Sequence, residues 1–143
     1  MKIVEVESNQ VLSIRHQVLW PNKPLDFCKV DGDADARHFA IELEQKLISV
    51  ASIYFSQDIK TSIKTARLRK FATLPDYQNK GFGSQLIKYI LNVLERDNVS
   101  MLWLDARQSA ISFYKQFGFS NEDNTEVFFK SNIPYVKMEK KIL

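Results

Sequence analysis

Residues 68–87 read Leu68-Arg69-Lys70-Phe71-Ala72-Thr73-Leu74-Pro75-Asp76-Tyr77-Gln78-Asn79-Lys80-Gly81-Phe82-Gly83-Ser84-Gln85-Leu86-Ile87, and local rules turn them into a strand, a loop and the start of a helix. Arg67, Arg69 and Phe71 alternate with Leu68, Lys70 and Ala72, the two-residue period of a strand. Pro75 has no N–H to give to a ladder, so the strand ends before it. Beyond Gly83, the residues Leu86, Ile87, Ile90, Leu91 and Leu94 fall on one face of a helix. Between strand and helix, two glycines one residue apart let the backbone turn and expose its N–H groups. A helix that begins at once adds unpaired N–H groups and the positive end of its dipole. That combination suits an anion, with phosphate the usual occupant. A glycine-eased turn without a ligand is the alternative that the loop alone leaves open.

Two familiar phosphate loops do not fit. A dinucleotide fingerprint needs a third glycine three residues after the second, and position 86 is Leu86. A nucleotide-triphosphate loop needs lysine after its last glycine, whereas Lys80 precedes Gly81.

Composition narrows the class. At 143 residues the chain is expected to form one domain, residues 1–143, that buries roughly two-thirds of its extended surface. Its 45% hydrophobic and 26% charged residues suit an ordinary globular protein. A net charge of +3 from 20 basic and 17 acidic residues suits a small polyanion and does not by itself point to nucleic acid, which would call for a basic stripe interleaved with aromatics. Cys28 is alone, which excludes an intramolecular disulfide and a cysteine-rich metal site. With only His16 and His38 beside it, no metal is expected. The first residues carry charge and lack an apolar signal core, and no run approaches the ~20 apolar residues of a membrane span. A reduced, cytoplasmic protein without membrane partners is expected.

Along the chain, Ile3 to Val6 reads as a strand, and Ser8 or Asn9 as the cap of a helix marked by Val11, Leu12, Arg15, Val18 and Leu19. Trp20-Pro21 ends that helix. Asp31-Gly32-Asp33 opens like a calcium loop but lacks the later ligands and the closing glutamate. Arg37 to Leu43 and Lys46 to Phe55 form a hairpin, and residues 56–65 a polar loop. After the central helix, Met101 to Leu104 is a short apolar run that suits a buried strand parallel to its predecessor. Ala110, Phe113, Tyr114 and Phe117 have helical spacing, and Glu126 to Lys130 and Tyr135 to Lys140 close the sheet. The order β-α-β-β-β-α-β-α-β-β is an α/β chain with a mixed sheet.

Gln78-x-x-Gly81-x-Gly83, followed by Ala110-Ile111-Ser112-Phe113-Tyr114-Lys115-Gln116-Phe117-Gly118-Phe119, resembles the GNAT superfamily of N-acetyltransferases over essentially the whole chain. Three of the chain's four glycines lie within these two signatures. The succession of Arg15, Asp31-Gly32-Asp33, Arg37-His38 and Ile133-Pro134 resembles more loosely the ElaA-like bacterial branch. That branch often has histidine where this chain has Tyr135, so no histidine role transfers.

The resemblance implies a single-domain GNAT-type fold, with a mixed β-sheet whose central parallel strands splay apart between flanking helices. It implies acetyl-coenzyme A as co-substrate, its pantetheine arm lying between Leu68–Thr73 and Met101–Asp105. Phe71, Ala72 and Thr73 would line the arm, and Gln78, Asn79, Lys80, Gly81, Phe82, Gly83 and Ser84 would hold the pyrophosphate. Tyr114 occupies the position of the family's general acid, and a core aromatic is the other reading of its spacing. Arg107 either touches pantetheine or faces water. No general base stands out; Asp105, Glu42, His38 and Tyr135 are candidates by rough topology. Cys28 lacks a histidine partner and is not expected to act as a nucleophile. The acceptor, a small-molecule or peptide amine, is expected between Trp20–Phe39 and Ile133–Tyr135, where Asp26, Asp31, Asp33 and Asp35 would attract a cation. The implied reaction is direct attack of the amine in a ternary complex, and the alternative is a non-catalytic acyl-coenzyme A sensor. Nucleic acid is not an expected partner, and the oligomeric state, a homodimer included, is left open.

Overall fold

A computed structural model describes residues 1–121 and 126–143. Its elements are β1 (Lys2–Val6), α1 (Leu12–Leu19), β2 (Arg37–Leu43), β3 (Lys46–Gln57), β4 (Lys64–Thr73), α2 (Phe82–Arg96), β5 (Met101–Arg107), α3 (Ile111–Lys115), β6 (Phe128–Lys130) and β7 (Ile133–Lys141). The seven strands form one sheet in the order β1-β2-β3-β4-β5-β7-β6. Every neighbouring pair is antiparallel except β4 and β5, which run parallel with α2 as their crossover. This is the expected α/β architecture, with a mixed sheet and one central parallel pair. Among the described residues no helix is long and apolar enough to cross a membrane.

Helix α2 starts at Phe82, ahead of Gly83 and not beyond it as the apolar spacing suggests, with Gly81 capping it in the left-handed region (φ 86°). Its buried stripe is Leu86, Ile87, Ile90, Val93 and Leu94; Val93 takes the place expected of Leu91, which is half-buried. Each buried aliphatic side chain contributes about 1.5–3 kcal/mol, and this stripe holds α2 against β2 and β3. Helix α1 is entered through a tight turn, Ser8–Val11, capped by Glu7 rather than by Ser8 or Asn9. The Glu7 side chain accepts from the Gln10 N–H, and Gln10 Oε1 accepts from the Glu7 N–H at 2.7 Å. That reciprocal box satisfies two donors where a lone serine would satisfy one.

Strand β4 departs from simple alternation. Leu68 and Arg69 pair with Ile53 and Ser52, but Ala72 and Thr73 pair with Val50 and Ser49. Two residues, Lys70 and Phe71, therefore stand opposite Ala51, which is a β-bulge. Lys70 takes up the extra length at φ 55°, a conformation that costs a non-glycine residue about 1–2 kcal/mol. Directly opposed residues share a face, so Leu68 and Ala72 lie on opposite faces of the sheet instead of together. On its other edge, β4 pairs with β5 only at Thr65, Ala66 and Arg67, opposite Met101, Leu102 and Trp103. Beyond Arg67 the two strands part. The separation is narrower than expected, because Met101–Trp103 remain paired and only the ends of the strands diverge.

Candidate active site

A cleft of about 560 Å³ opens where β4 and β5 part. Leu68–Phe71 with Leu104, Asp105 and Arg107 bound its floor, Trp20 one wall, Tyr114 another, and Lys130, Ser131, Ile133 and Tyr135 of the β6–β7 hairpin its rim. Lys70 and Phe71 have no residue paired with them on either neighbouring strand, so the bulge leaves backbone polar groups facing this space.

The glycine loop lies beyond the end of β4 and does not line the cleft. The Gln78 amide donates to the Thr73 carbonyl at 2.8 Å and ties the loop to the strand. Asn79 (φ 60°) and Gly81 (φ 86°) are both left-handed. The first bond into α2 runs from Gln85 N–H to the Gly81 carbonyl at 3.2 Å, so the N–H groups of Phe82, Gly83 and Ser84 project from the helix end. The two glycines do different work. A Cβ at Gly81 would meet open space, whereas one at Gly83 would stand 3.0 Å from the Phe71 ring. Gly83 is thus small at least to let α2 sit on β4.

Phe71 continues this packing into α3, with its ring 6.2 Å from that of Phe113. Ala72 is buried and offers only backbone, and the Thr73 hydroxyl bonds Ser49 at 2.8 Å. Tyr114 packs edge-on against Phe113 and Phe119 and also lines the cleft. Its hydroxyl makes no hydrogen bond to another described residue, and burial pushes it up to about 12. Tyr114 is therefore both a packing aromatic and a cleft-lining residue whose hydroxyl stays protonated.

The other side of the cleft is basic. Arg67, Arg69, Lys70, Arg107 and Lys130 line it, with Asp105 as the sole acid among the described residues. Arg67 and Lys130 both donate to Asp105 Oδ2, at 2.9 and 3.0 Å, and the Arg67 guanidinium lies 4.4 Å above the Trp103 ring. Arg69 rests on the Tyr54 ring and the Lys70 ammonium on Trp20, 5.4 and 4.8 Å from the ring centres. Among the described residues, Arg69, Lys70 and Arg107 form no ion pair with a carboxylate. Burial, then repulsion from Arg69, Lys130, Arg15 and Arg67, lowers Lys70 to about 8.

Several expected residues sit elsewhere. Asp33 is not available to an acceptor, because it forms a bidentate pair with Arg15 at 2.8 and 3.0 Å and accepts from Tyr54 and from the Val30 N–H. Arg15 is fully buried and also donates to the Cys28 carbonyl and to Ser52. Of Trp20–Phe39, only Trp20 reaches the cleft, and Asp26 pairs with Lys29. His38 is buried: Nε2 meets the Asp33 carbonyl at 2.9 Å and Nδ1 meets Ser52 at 2.6 Å. Glu42 pairs with Lys2 at the far end of the sheet. Of the base candidates, only Asp105 and Tyr135 reach the cleft, and Asp105 Oδ2 already holds two cations. Cys28 is buried, with its thiol pushed up by that burial. Sequence reasoning places Trp20 only at the start of the acceptor segment and passes over Lys130 and the basic run Arg67-x-Arg69-Lys70 as site residues. The run was visible, but its gathering with Trp20 and Lys130 depends on topology.

Residues 7–119 match the model of the acetyltransferase (GNAT) family. The N-acetyltransferase YitI of Bacillus subtilis is 32% identical over 122 residues, covering 83% of this chain and 80% of that protein. The ribosomal protein bS18-alanine N-acetyltransferase of Escherichia coli is 40% identical over a shorter span of 58 residues, 38% of this chain and 39% of that one. Among solved structures, Escherichia coli ElaA superimposes with a TM-score of 0.76 at 19% identity, over 97% of this chain and 98% of its own, which speaks for the fold. A parallel pair that parts at a bulge, a glycine loop capping the crossover helix, and a match over most of the length give one answer: the chain belongs to the GNAT acetyltransferase family.

Proposed function

We propose that residues 1–143 act as one catalytic domain that transfers an acetyl group from acetyl-coenzyme A to an amine by direct attack in a ternary complex. The observation that carries this reading is the parting of β4 and β5 at the Lys70 bulge, which leaves unpaired backbone beside the cleft that Tyr114 lines. The bound donor supplies an acyl group on a thiol leaving group. The exposed β4 edge from Arg69 to Thr73 receives the pantetheine arm as a short extra strand, and the free N–H groups from Asn79 to Ser84 receive the pyrophosphate. Lys80 stands beside them with its charge. A backbone N–H at the bulge points to where negative charge develops on the acyl oxygen. The Tyr114 hydroxyl, protonated at neutral pH, gives its proton to the departing sulfur.

The amine must reach the acyl carbon uncharged, although a free alkyl amine titrates near ~10.4. The cluster of cations in the cleft disfavours an ammonium there. Deprotonation on entry therefore needs only water as the proton acceptor. The test is twofold. Acetyl-coenzyme A should raise the melting temperature through ligand linkage, and mixing with an amine panel should release coenzyme A with formation of an N-acetyl product. Stabilisation without release on any amine would make the chain a sensor, and no stabilisation would remove the donor site.

A further inference from the structure

We infer that the acceptor is a small amine that carries its own anionic group, a carboxylate or a phosphate, and that Arg69, Lys70 and Arg107 hold it by that anion. The inference rests on the transferase reading and adds the acceptor's chemical class. Its ground is the unpaired charge on one side of the cleft. Among the described residues, five basic residues face a single carboxylate there, and that carboxylate already serves Arg67 and Lys130. Arg69, Lys70 and Arg107 remain without an anionic partner among the described residues.

Surface lysines and arginines in water need no partner, but Lys70 is not such a residue. It extends from a strained bulge onto the Trp20 ring, partly stripped of water and next to other cations, and its lowered value of about 8 reflects that setting. Holding like charges together out of water is unfavourable and is relieved when an anion enters between them.

Donor phosphates do not account for the cluster. The loop from Gln78 to Ser84 lies outside this cleft, on the side of α2. Arg69, in contrast, stands opposite Ser52, which bonds Arg15 of α1. The anion-binding cations and the phosphate loop thus lie on different sides of the sheet. The cleft's volume of about 560 Å³ admits a small acceptor beside an acyl group. The same charges repel polyamines, aminoglycosides and lysine-rich peptides. They also favour the neutral form of the amine, so one cluster anchors the anion and readies the nucleophile.

The experiment measures acetylation of glycine, alanine and glutamate against their carboxamides, with phosphoethanolamine and spermidine alongside. Amidation removes the anion and lowers the amine's own pKa, so any preference for the free acid comes from its charge. At least one anionic amine should exceed its neutral counterpart and spermidine by tenfold or more in kcat/KM. Preference for phosphoethanolamine would identify the anion as phosphate, and preference for the acids as carboxylate. Arg69→Gln should cut the anionic amine's kcat/KM about tenfold, mostly through KM, and leave acetyl-coenzyme A affinity unchanged. Arg69→Lys should restore part of the loss. Arg107→Gln, at an exposed position, gives a second reading if the first variant melts early. Equal or better use of carboxamides or spermidine would overturn the inference. If no amine is acetylated, the same amines are titrated calorimetrically with coenzyme A present. Binding of the anionic amines that Arg69→Gln abolishes would uphold the anion site and end the transferase reading, whereas absence of binding would overturn the site.

Discussion

Arg15 and Arg69 meet the same tyrosine and have opposite surroundings. Arg15 donates to the Tyr54 hydroxyl, and Arg69 lies over the Tyr54 ring. The first is fully buried and held at its tip: a bidentate carboxylate, a backbone carbonyl and a serine hydroxyl take its terminal N–H groups, while its Nε has no partner among the described residues. The second has no carboxylate and lines an open cleft. A buried charge paired with its own carboxylate is scaffolding, because removing that partner strands it. A half-buried charge with no partner is a standing cost that the fold has not offset. The contrast separates the part of the chain that holds α1 on the sheet from the part that waits for a ligand.

The sharpest way to break the comparison is at Asp33. Asp33→Ala leaves the Arg15 guanidinium buried without its carboxylate, and a loss of about 3–5 kcal/mol in urea unfolding is expected. Arg69→Gln should change stability by no more than about 0.5 kcal/mol; equal losses would erase the distinction. The Asp33 carboxyl also carries a pH signature. Burial acts to raise it, but the bonds from Arg15, Tyr54 and Val30 outweigh burial and hold it at about 2. That is below the unfolded value of ~3.9. Its stabilisation is therefore complete above pH ~4 and is lost as pH falls through about 2, a swing of roughly 2 kcal/mol. Asp33→Asn should unfold without this acid limb.

Tyr114 tests the cleft by function instead of stability. Tyr114→Phe keeps the ring against Phe113 and Phe119 and removes only the hydroxyl. A drop of about 10²-fold in the acyl-transfer rate is expected, measured in single turnovers so that product release does not mask it. Donor affinity should hold, and the loss should shrink for donors with a better leaving thiol. A rate within a few-fold of the parent would leave Tyr114 as packing alone.

Gly81→Asp is a smaller perturbation of the donor loop. Its Cβ enters open space, aspartate tolerates the left-handed region better than most residues, and its charge opposes a phosphate. About a tenfold weaker acetyl-coenzyme A affinity is expected by thermal-shift titration. Gly83→Glu would be a poorer test, since its bulk meets Phe71 whether or not a ligand binds.

The mildest effect is expected at Lys70. Its folded value, about 8, lies below the ~10.4 of an unfolded lysine. Below pH 8 both states keep the proton, and the folded state bears the whole unfavourable charge. Between 8 and 10.4 only the unfolded state keeps it, so stability rises with pH. Lys70→Gln should thus melt a few degrees higher than the parent at pH 7, with the difference fading by pH ~10.5. No difference at pH 7 would mean that Lys70 is adequately solvated.

Much of this architecture was legible because it obeys local rules. Arg37–Leu43 alternates and is β2 without adjustment. Gly81-Phe82-Gly83 punctuates a strand and a helix that can be read from their periods. What was hidden depended on partners far along the chain. Arg15 sits on the buried stripe of its helix, but only the fold reveals that Asp33 neutralises it, and that bond is what removes the acidic loop from the acceptor site. The bulge left no mark because Lys70 enters the left-handed region without being glycine, and two-residue alternation continues through it. The cleft's charge was equally hidden, since Trp20, Lys70 and Lys130 come together from three separate segments.

The β3–β4 register gives the bulge a further meaning. Deleting Lys70 would let Phe71 face Ala51 and leave the pairs Ala72–Val50 and Thr73–Ser49 intact, so the sheet would gain a continuous ladder. By the standards of the sheet, Lys70 is a surplus residue. Strand-building favours the shorter chain, and a cleft with an open backbone edge favours the longer one. A change in length of one residue here is therefore a change between scaffold and site, and variation at this position should be sought among insertions and deletions as much as among substitutions.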